Sequence, residues 1–456
     1  MKRIFAIAGL TLRSAIRSRV LLVLLGLLLL VVVGLPLSIK GDGTLGGRVQ
    51  ILLSYTLGFA GVLVAIATVW AACAAVSTEV QQRQIQLVMT KPVHPIELWL
   101  GKWFGLLLLA ALLLGFAGAV VYGLLRWTTR ATTLQGTERA LLRDEILVAR
   151  AAVAPQTPEL DRRARERLER ERAAGTLPAN TPVEEAFRAI RRDLVLQSLT
   201  VEAGTRRVWT FALPFEPDPA RDVFLQFRFV KSKLDVESIA GFWTVGAPGA
   251  AAPAELSGGY RPDAVQSLRI PGAAAAGART MTVAFENRDP RGATVLFDPD
   301  QGLQLLLYRG TFAGNYVRTL LAMFFQMAFL AAVGLSLGSL LSMPVASFVS
   351  VGFVFVIRLS SYVDRMAREE SFFFDRSEKS FGAVLVEKFF HGFFTVLHAV
   401  MTPLEGPDTL DWLASGRLVS AAAVGRVFLA DVVVYGGLLA LLCAWLFRRR
   451  ELGSAP

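Results

Sequence analysis

Thr319–Ile357 reads TLLAMFFQMAFLAAVGLSLGSLLSMPVASFVSVGFVFVI, 39 residues without a charge. One membrane crossing takes about 20 apolar residues, because the hydrocarbon layer is roughly 30 Å thick and each helical residue rises about 1.5 Å. The stretch is therefore too long for one crossing and long enough for two. Pro344 offers the place to divide it, since proline disfavours helical geometry in the residue before it. The reading splits the block near Ser342-Met343-Pro344.

Four further blocks flank this one. Val20–Leu37, Ile51–Val76 and Trp103–Leu125 carry no charge, and Val427–Phe447 carries only Asp431. The 54% hydrophobic share of the 456-residue chain gathers in these blocks, which a water-soluble core does not require. The expected fold is an α-helical membrane protein with six transmembrane helices. Spans 1–3 fall within 20–125, spans 4–5 within 313–363 and span 6 within 421–447. Lys2 and Arg3 resemble the start of a signal peptide. The apolar block begins only at Val20 and lacks an A-x-A end, so it reads as a retained span. Cys73 and Cys443 both fall inside spans, and no disulfide framework is implied.

The net charge of +11 is placed unevenly. Residues 1–19 hold five basic and no acidic residues, while 364–420 hold six basic and nine acidic ones. The tail after Phe447 brings Arg448, Arg449 and Arg450 against Glu451. By the positive-inside rule both termini and the segment 77–102 are expected on the cytoplasmic side of a bacterial-type inner membrane. An even number of spans agrees with that. Juxtamembrane cations facing anionic lipid account for the basic excess, so nucleic acid is not expected as a partner. In residues 1–19, Ile4, Ala8, Leu12 and Ile16 recur every fourth position, with Arg13 and Arg17 on another face. This is the pattern of an interfacial helix. The tail 448–456 follows span 6.

Between spans 3 and 4 lies an insertion, 126–312, expected outside the cytoplasm. Residues 134–200 read as a helical arm: Thr157-Pro158 and Thr181-Pro182 look like caps followed by proline at the first helical position, and Thr181 with Glu184 fits a capping box. Residues 205–308 read as a β-sandwich, with Val223, Leu225, Phe227 and Phe229 alternating, then Met281, Val283 and Phe285. The insertion is either a spacer or dimerisation module, or a binder of an extracytoplasmic ligand or protein. It shows no clustered ligand residues.

Residues 77–102, STEVQQRQIQLVMTKPVHPIELWLGK, carry the most specific pattern. A helix leaves the membrane, breaks at Lys91-Pro92 and resumes before the next span. Glu79, Arg83 and Gln86 share a polar side, while Ile85, Val88 and Met89 form an apolar patch suited to a groove on another protein. This segment resembles the first cytoplasmic loop of ABC transporter permeases of the type-2 exporter class. Its matching residues are Glu79, then Thr90-Lys91-Pro92, then Gly101-Lys102. The ending Phe447-Arg448-Arg449-Arg450-Glu451 is similar to the F-x-R-R-x ending of that family. The resemblance covers 1–125 and 313–451 and leaves out most of the insertion. It implies that 77–100 holds the coupling helix, with Glu79, Arg83, Gln86, Lys91, Pro92, Gly101 and Lys102 as the coupling residues. It also implies a separate ATP-binding cassette subunit and a second permease copy. The chain lacks a G-x-x-x-x-G-K-[ST] loop, so ATP and Mg are expected on the partner and no cofactor on this chain.

Inside the membrane, charges are costly and usually paired. Asp431 sits about 15 Å into span 6, and Arg358 about 20 Å from the inner end of span 5. The two depths allow a pair, with Arg426 or Arg318 near the outer surface as less direct partners of Asp431, that either locks packing or lines a substrate path. His391 and His398, with Glu387, could share one face of a re-entrant or surface helix within 364–420. They lack the H-E-x-x-H spacing or third ligand of a metalloprotease, so neither a metal nor a catalytic set is expected. The alternative to a transporter is a membrane scaffold that passes ATPase-driven movement to the outer domain.

Overall fold

The computed structural model describes residues 2–38, 49–50, 52–81, 94–130, 147–156, 158–176, 183–233, 237–248, 253–299, 302–358, 389, 392–393 and 409–449. The chain forms two compact units, one of Met1–Leu147 with Phe312–Pro456, the other of Val148–Thr311.

In the helical unit, α1 (Lys2–Ile16) is followed after a two-residue turn by α2 (Arg19–Ser38). A π-helical turn, Leu52–Thr56, opens α3 (Leu57–Gln81), and α4 spans Pro95–Arg130. Among the described residues five helical segments are long and apolar enough to cross a membrane: Arg19–Pro36, Leu52–Glu79, Ile96–Thr129, Phe312–Leu340 and Ala421–Trp445. The reason is visible in α4. Leu106, Ala110, Leu113, Ala117 and Val121 form a buried stripe at three- and four-residue spacing. Phe104, Leu108, Leu112 and Phe116 are as apolar yet exposed. A helix that is apolar on its exposed face as well suits lipid.

At 36 residues, α4 is about 54 Å long, well beyond a ~30 Å hydrocarbon layer. The sequence reading ended span 3 at 125 and set a separate amphipathic turn before it; one continuous helix absorbs both.

The β-rich unit contains α5 (Pro158–Ala173) and α6 (Val183–Leu199), which pack through Ala164, Leu168, Ala186 and Ile190. Among the described residues eleven strands surround them in sequence: β1 (Val148–Val153), β2 (Thr200–Val201), β3 (Arg206–Ala212), β4 (Val223–Phe227), β5 (Phe229–Lys231), β6 (Ile239–Gly246), β7 (Ala254–Tyr260), β8 (Gln266–Ile270), β9 (Thr280–Asn287), β10 (Val295–Phe297) and β11 (Leu303–Thr311). They form antiparallel sheets in the orders β1-β11-β4-β8, β3-β9-β6-β7 and β2-β10-β5. The two larger sheets feed one core with alternate residues. Leu225, Phe227 and Leu305 come from the first, and Trp209, Phe211, Trp243, Val283 and Phe285 from the second. The helical expectation for 134–200 therefore needs correcting at its start, where β1 pairs with β11 in register Val148↔Thr311. That pairing joins residues 163 positions apart, which local periodicity does not reveal. Residues 131–146, Thr157, Thr181 and Pro182 lie outside the described residues.

The last helices of the chain return to the helical unit. The uncharged block forms α7 (Phe312–Leu340) and α8 (Met343–Arg358), broken at Leu341-Ser342. The fifth expected span falls on α8, whose 16 residues reach about 24 Å; residues 359–388 lie outside the described ones. Then come α9 (Thr409–Ala414), α10 (Ala421–Val427), a π-helical stretch Phe428–Tyr435, and α11 (Gly436–Arg449).

Candidate functional site at the junction of α3 and α4

The start of α4 is built for a firm stop. Pro95 stands at the first helical position, where its missing N–H costs nothing. The Glu97 carboxylate reaches back to accept the His94 backbone N–H at 3.2 Å, in the manner of a capping box. The sequence reading passed over His94 and Glu97, although the spacing of Pro95 and Glu97 carries that signal.

Seven residues further on, Gly101-Lys102-Trp103-Phe104-Gly105 meets three different neighbours. Successive residues point about 100° apart around a helix, so adjacent residues serve different partners. Gly101 and Gly105 face α1. A methyl group at Gly101 would lie 2.7 Å from the Ile7 Cβ, and one at Gly105 would lie 2.6 Å from the Ala8 carbonyl oxygen. This is the small-xxx-small spacing that lets membrane helices approach closely. Trp103 turns to α7 and donates its indole N–H to the Ala328 carbonyl at 2.9 Å. Trp99 stacks beside it at 5.8 Å between ring centroids.

Lys102 turns to α3. Its Nζ lies 2.6 Å from Glu79 Oε1 and donates to the Ala75 carbonyl at 2.6 Å. The ammonium is 4% exposed and the carboxylate 32%. A buried cation with both a counter-charge and a carbonyl is compensated, whereas either alone leaves desolvation unmet. The end of α3 is held from another side by α7, where Ser77 Oγ donates to the Gly338 carbonyl at 2.9 Å. Gly334 and Gly338 let the two backbones meet: a methyl at Gly334 would lie 2.7 Å from the Ala72 Cβ. The two ends of segment 79–102 are thus pinned together at their bases.

Of the residues singled out from sequence, Glu79, Gly101 and Lys102 come together here, Gly101 as the α1 contact and Lys102 as the α3 contact. Arg83, Gln86, Lys91 and Pro92 lie outside the described residues. Asp431 falls in the π-helical stretch and is 4% exposed. Its neighbours Phe428 and Tyr435 pack on Phe325 and Phe329 of α7 at 5.0 and 5.9 Å, which turns this face of the helix into the bundle. The Arg358 side chain lies outside the described residues, as do Glu387, His391 and His398. Among the described residues no group of three His, Cys, Asp or Glu is arranged to hold a metal.

Sequence reasoning missed Asn315. It is fully buried at the start of α7, donates to the Arg417 carbonyl at 2.7 Å and accepts the Val419 N–H at 2.7 Å. A single Asn in an apolar helix is the only signal it leaves in the sequence. No family model, no curated protein and no solved structure matches the chain.

Proposed function

We propose that this chain is the membrane-spanning permease subunit of an ATP-driven ABC transporter, acting as an exporter and energised by a separate ATP-binding cassette subunit. The observation that carries the reading is the Glu79–Lys102 ion pair at 2.6 Å. The two residues bracket the segment whose motifs resemble the family's coupling loop, and their pairing fixes the base of that segment against α3 and α4. A force applied to a pinned loop reaches the spans behind it without being lost in a slack connection. In this reading both termini and the loop are cytoplasmic, the β-rich unit is extracytoplasmic, and α8 belongs to the fifth of six spans. ATP and Mg sit on the partner, and two permease copies form the working unit in the inner membrane. Asp431 and Arg358 form an intramembrane charge pair.

The test is ATPase activity of the reconstituted complex with a cassette subunit encoded beside this chain. Glu79→Ala and Lys91→Ala should leave the complex assembled and its basal hydrolysis intact, while stimulation by substrate or by the permease falls at least tenfold. Unchanged stimulation in both variants would sink the reading.

A second reading is a non-transporting scaffold that passes movement to the β-rich unit. It is favoured by the separate compactness of Val148–Thr311, which has a core of its own. Substrate uptake into inverted vesicles separates the two: a scaffold gives ATP hydrolysis with no uptake.

A further inference from the structure

Three helices of the helical unit are tied to one another through backbone carbonyls. Lys102 of α4 donates to the Ala75 carbonyl of α3 at 2.6 Å, and Ser77 of α3 donates to the Gly338 carbonyl of α7 at 2.9 Å. Between α4 and α7, the Trp103 indole N–H reaches the Ala328 carbonyl at 2.9 Å and the Tyr316 hydroxyl reaches the Gly118 carbonyl at 2.8 Å. Glycines draw α7 against both neighbours. A methyl at Gly118 would lie 2.7 Å from Leu320 Cδ1, and one at Gly338 would lie 2.8 Å from the Cys73 carbonyl oxygen. Close backbone approach and interhelical hydrogen bonds are what fix helix pairs in lipid, so α3, α4 and α7 make a frame. α2 is held differently. From Val20 to Leu37 it carries no side chain able to hydrogen-bond, and a methyl at Gly26 or Gly34 would meet nothing within 4 Å. Only 17% of Arg19–Pro36 is buried, against 61, 44 and 67% of the spans in α3, α4 and α7.

Where α2 meets the frame the packing is incomplete. Leu24, Leu25 and Leu28 of α2 line a crevice with Val64 and Ala67 of α3 and Leu113 of α4. About 190 Å³ between the walls is empty, counting the part open to the outside. Its lining is apolar, so water does not fill it, and the walls forgo the dispersion contacts they would make if closed. The N-terminal end of α2 is tethered. α1 sits on Gly101 and Gly105 of α4, and only Arg17 and Ser18 separate its last residue, Ile16, from Arg19. A helix tethered at one end, packed through apolar side chains and fronted by a gap has both a pivot and a clearance. We propose that α2 is the moving element of the helical unit, tilting about Arg17-Ser18 against a fixed frame of α3, α4 and α7, with the crevice as the room into which it closes. The inference concerns described helices only, and neither a cassette subunit nor a substrate enters its test.

The 20 residues of α2 span about 30 Å, so a tilt of about 10° at the first turn carries the far end through about 5 Å. Dipolar electron resonance between nitroxides reads such a displacement. Val33, Phe116 and Val317 are 45, 42 and 62% exposed, and Cys73 and Cys443 are buried. The full chain carries Val33→Cys with Phe116→Cys to report α2 against α4, or Phe116→Cys with Val317→Cys to report α4 against α7. It is held in phosphatidylcholine nanodiscs and diluted with unlabelled chain, so that only distances within one copy are read. The expected result is one narrow distance for the frame pair and, for the α2 pair, a two-peaked or broad distribution at least about 5 Å wide. Ala67→Leu fills the crevice from α3, and Leu25→Phe fills it from α2. Either should narrow the α2 distribution to one peak, leave the frame pair unchanged and not lower the melting temperature. An α2 pair as narrow as the frame pair overturns the proposal. So does a broad α2 distribution that neither filled variant narrows. A fall in melting temperature in both filled variants overturns it too, since the space would then be already occupied.

Discussion

At the scale of single residues, Glu79 and Lys102 illustrate what a sequence gives and withholds. Both were legible as members of a motif. Their contact was not, because it joins two helices across a loop and leaves no periodic trace. The unequal burial of the pair has a consequence. Glu79→Ala leaves an ammonium that is 4% exposed with one carbonyl for company, a loss in the range of about 3 kcal/mol. Lys102→Met leaves a carboxylate that already touches water, and the cost falls to about 1 kcal/mol. The double substitution should be milder than Glu79→Ala alone, since no buried charge remains. Thermal unfolding in detergent checks the order; a Lys102→Met variant less stable than Glu79→Ala would show that the carboxylate, not the ammonium, depends on the pair. Tyr260 makes a different test. It meets Phe227 and Trp243 edge-on at 5.2 and 6.4 Å, and burial pushes its phenol above the usual value. A raised value means that stability is fully present below the unfolded tyrosine pKa, about 10, and is lost as pH rises through the folded one. Alkaline unfolding of the β-rich unit, followed by near-ultraviolet dichroism, should begin near that pH. Tyr260→Phe should shift the onset upward.

Among the elements, α1 separates pattern from placement. Its amphipathic repeat is plain in residues 1–19, yet of that repeat Ala8 is buried while Ile16 is 46% exposed. What it packs on is not contained in the repeat. Gly101 reads with Lys102 as a motif at the start of a span, Gly105 carries no such signal, and only the structure turns the spacing of the two glycines into a seat. The same holds for the π-helical stretches Leu52–Thr56 and Phe428–Tyr435, since a widened turn has the composition of an ordinary apolar helix. Two glycines on facing helices give opposed expectations. Gly105→Ala forces a methyl to 2.6 Å from the Ala8 carbonyl, a backbone atom that cannot turn aside, so α1 must shift. Gly9→Ala meets nothing and should stabilise the helix by up to about 1 kcal/mol through propensity alone. Amide exchange over residues 2–16 would show the contrast as faster exchange in the first variant and slower in the second. Equal protection in both would mean that α1 does not rest on α4.

For the molecule as a whole, the division into two units follows from where the chain enters and leaves the β-rich one. Val148 and Thr311, its first and last residues, are direct partners in the β1–β11 ladder, so 164 residues are inserted through a single gap in the helical unit. An insertion whose ends are already paired needs nothing from its host to close its fold. The sequence showed the alternation of β4 and β9 but not this closure, because β1 lies before the two helices and its partner lies at the far end of the unit. The core is held by a polar pin as well as by rings. Asn287 is fully buried; its side-chain amide donates to the carbonyls of Val201 and Ala293 at 3.2 and 2.8 Å and its oxygen accepts the Asp289 N–H at 3.1 Å. Asn287→Ala strands two carbonyls and one N–H inside the unit, at about 1 kcal/mol or more each, so a loss of about 3 kcal/mol is expected. For a unit of this size that is a fall of about 6–12 °C in its melting temperature. Residues 148–311 expressed alone should fold in water, with a cooperative thermal transition reported by Trp209 and Trp243. The full chain in detergent should show the same transition apart from that of the helical unit. Asn287→Ala should lower the first transition and leave the second in place, whereas Glu79→Ala should do the reverse. A single shared transition that moves with both substitutions would mean that the units fold as one, and the insertion would then be a structural part of the membrane bundle and not a separate module.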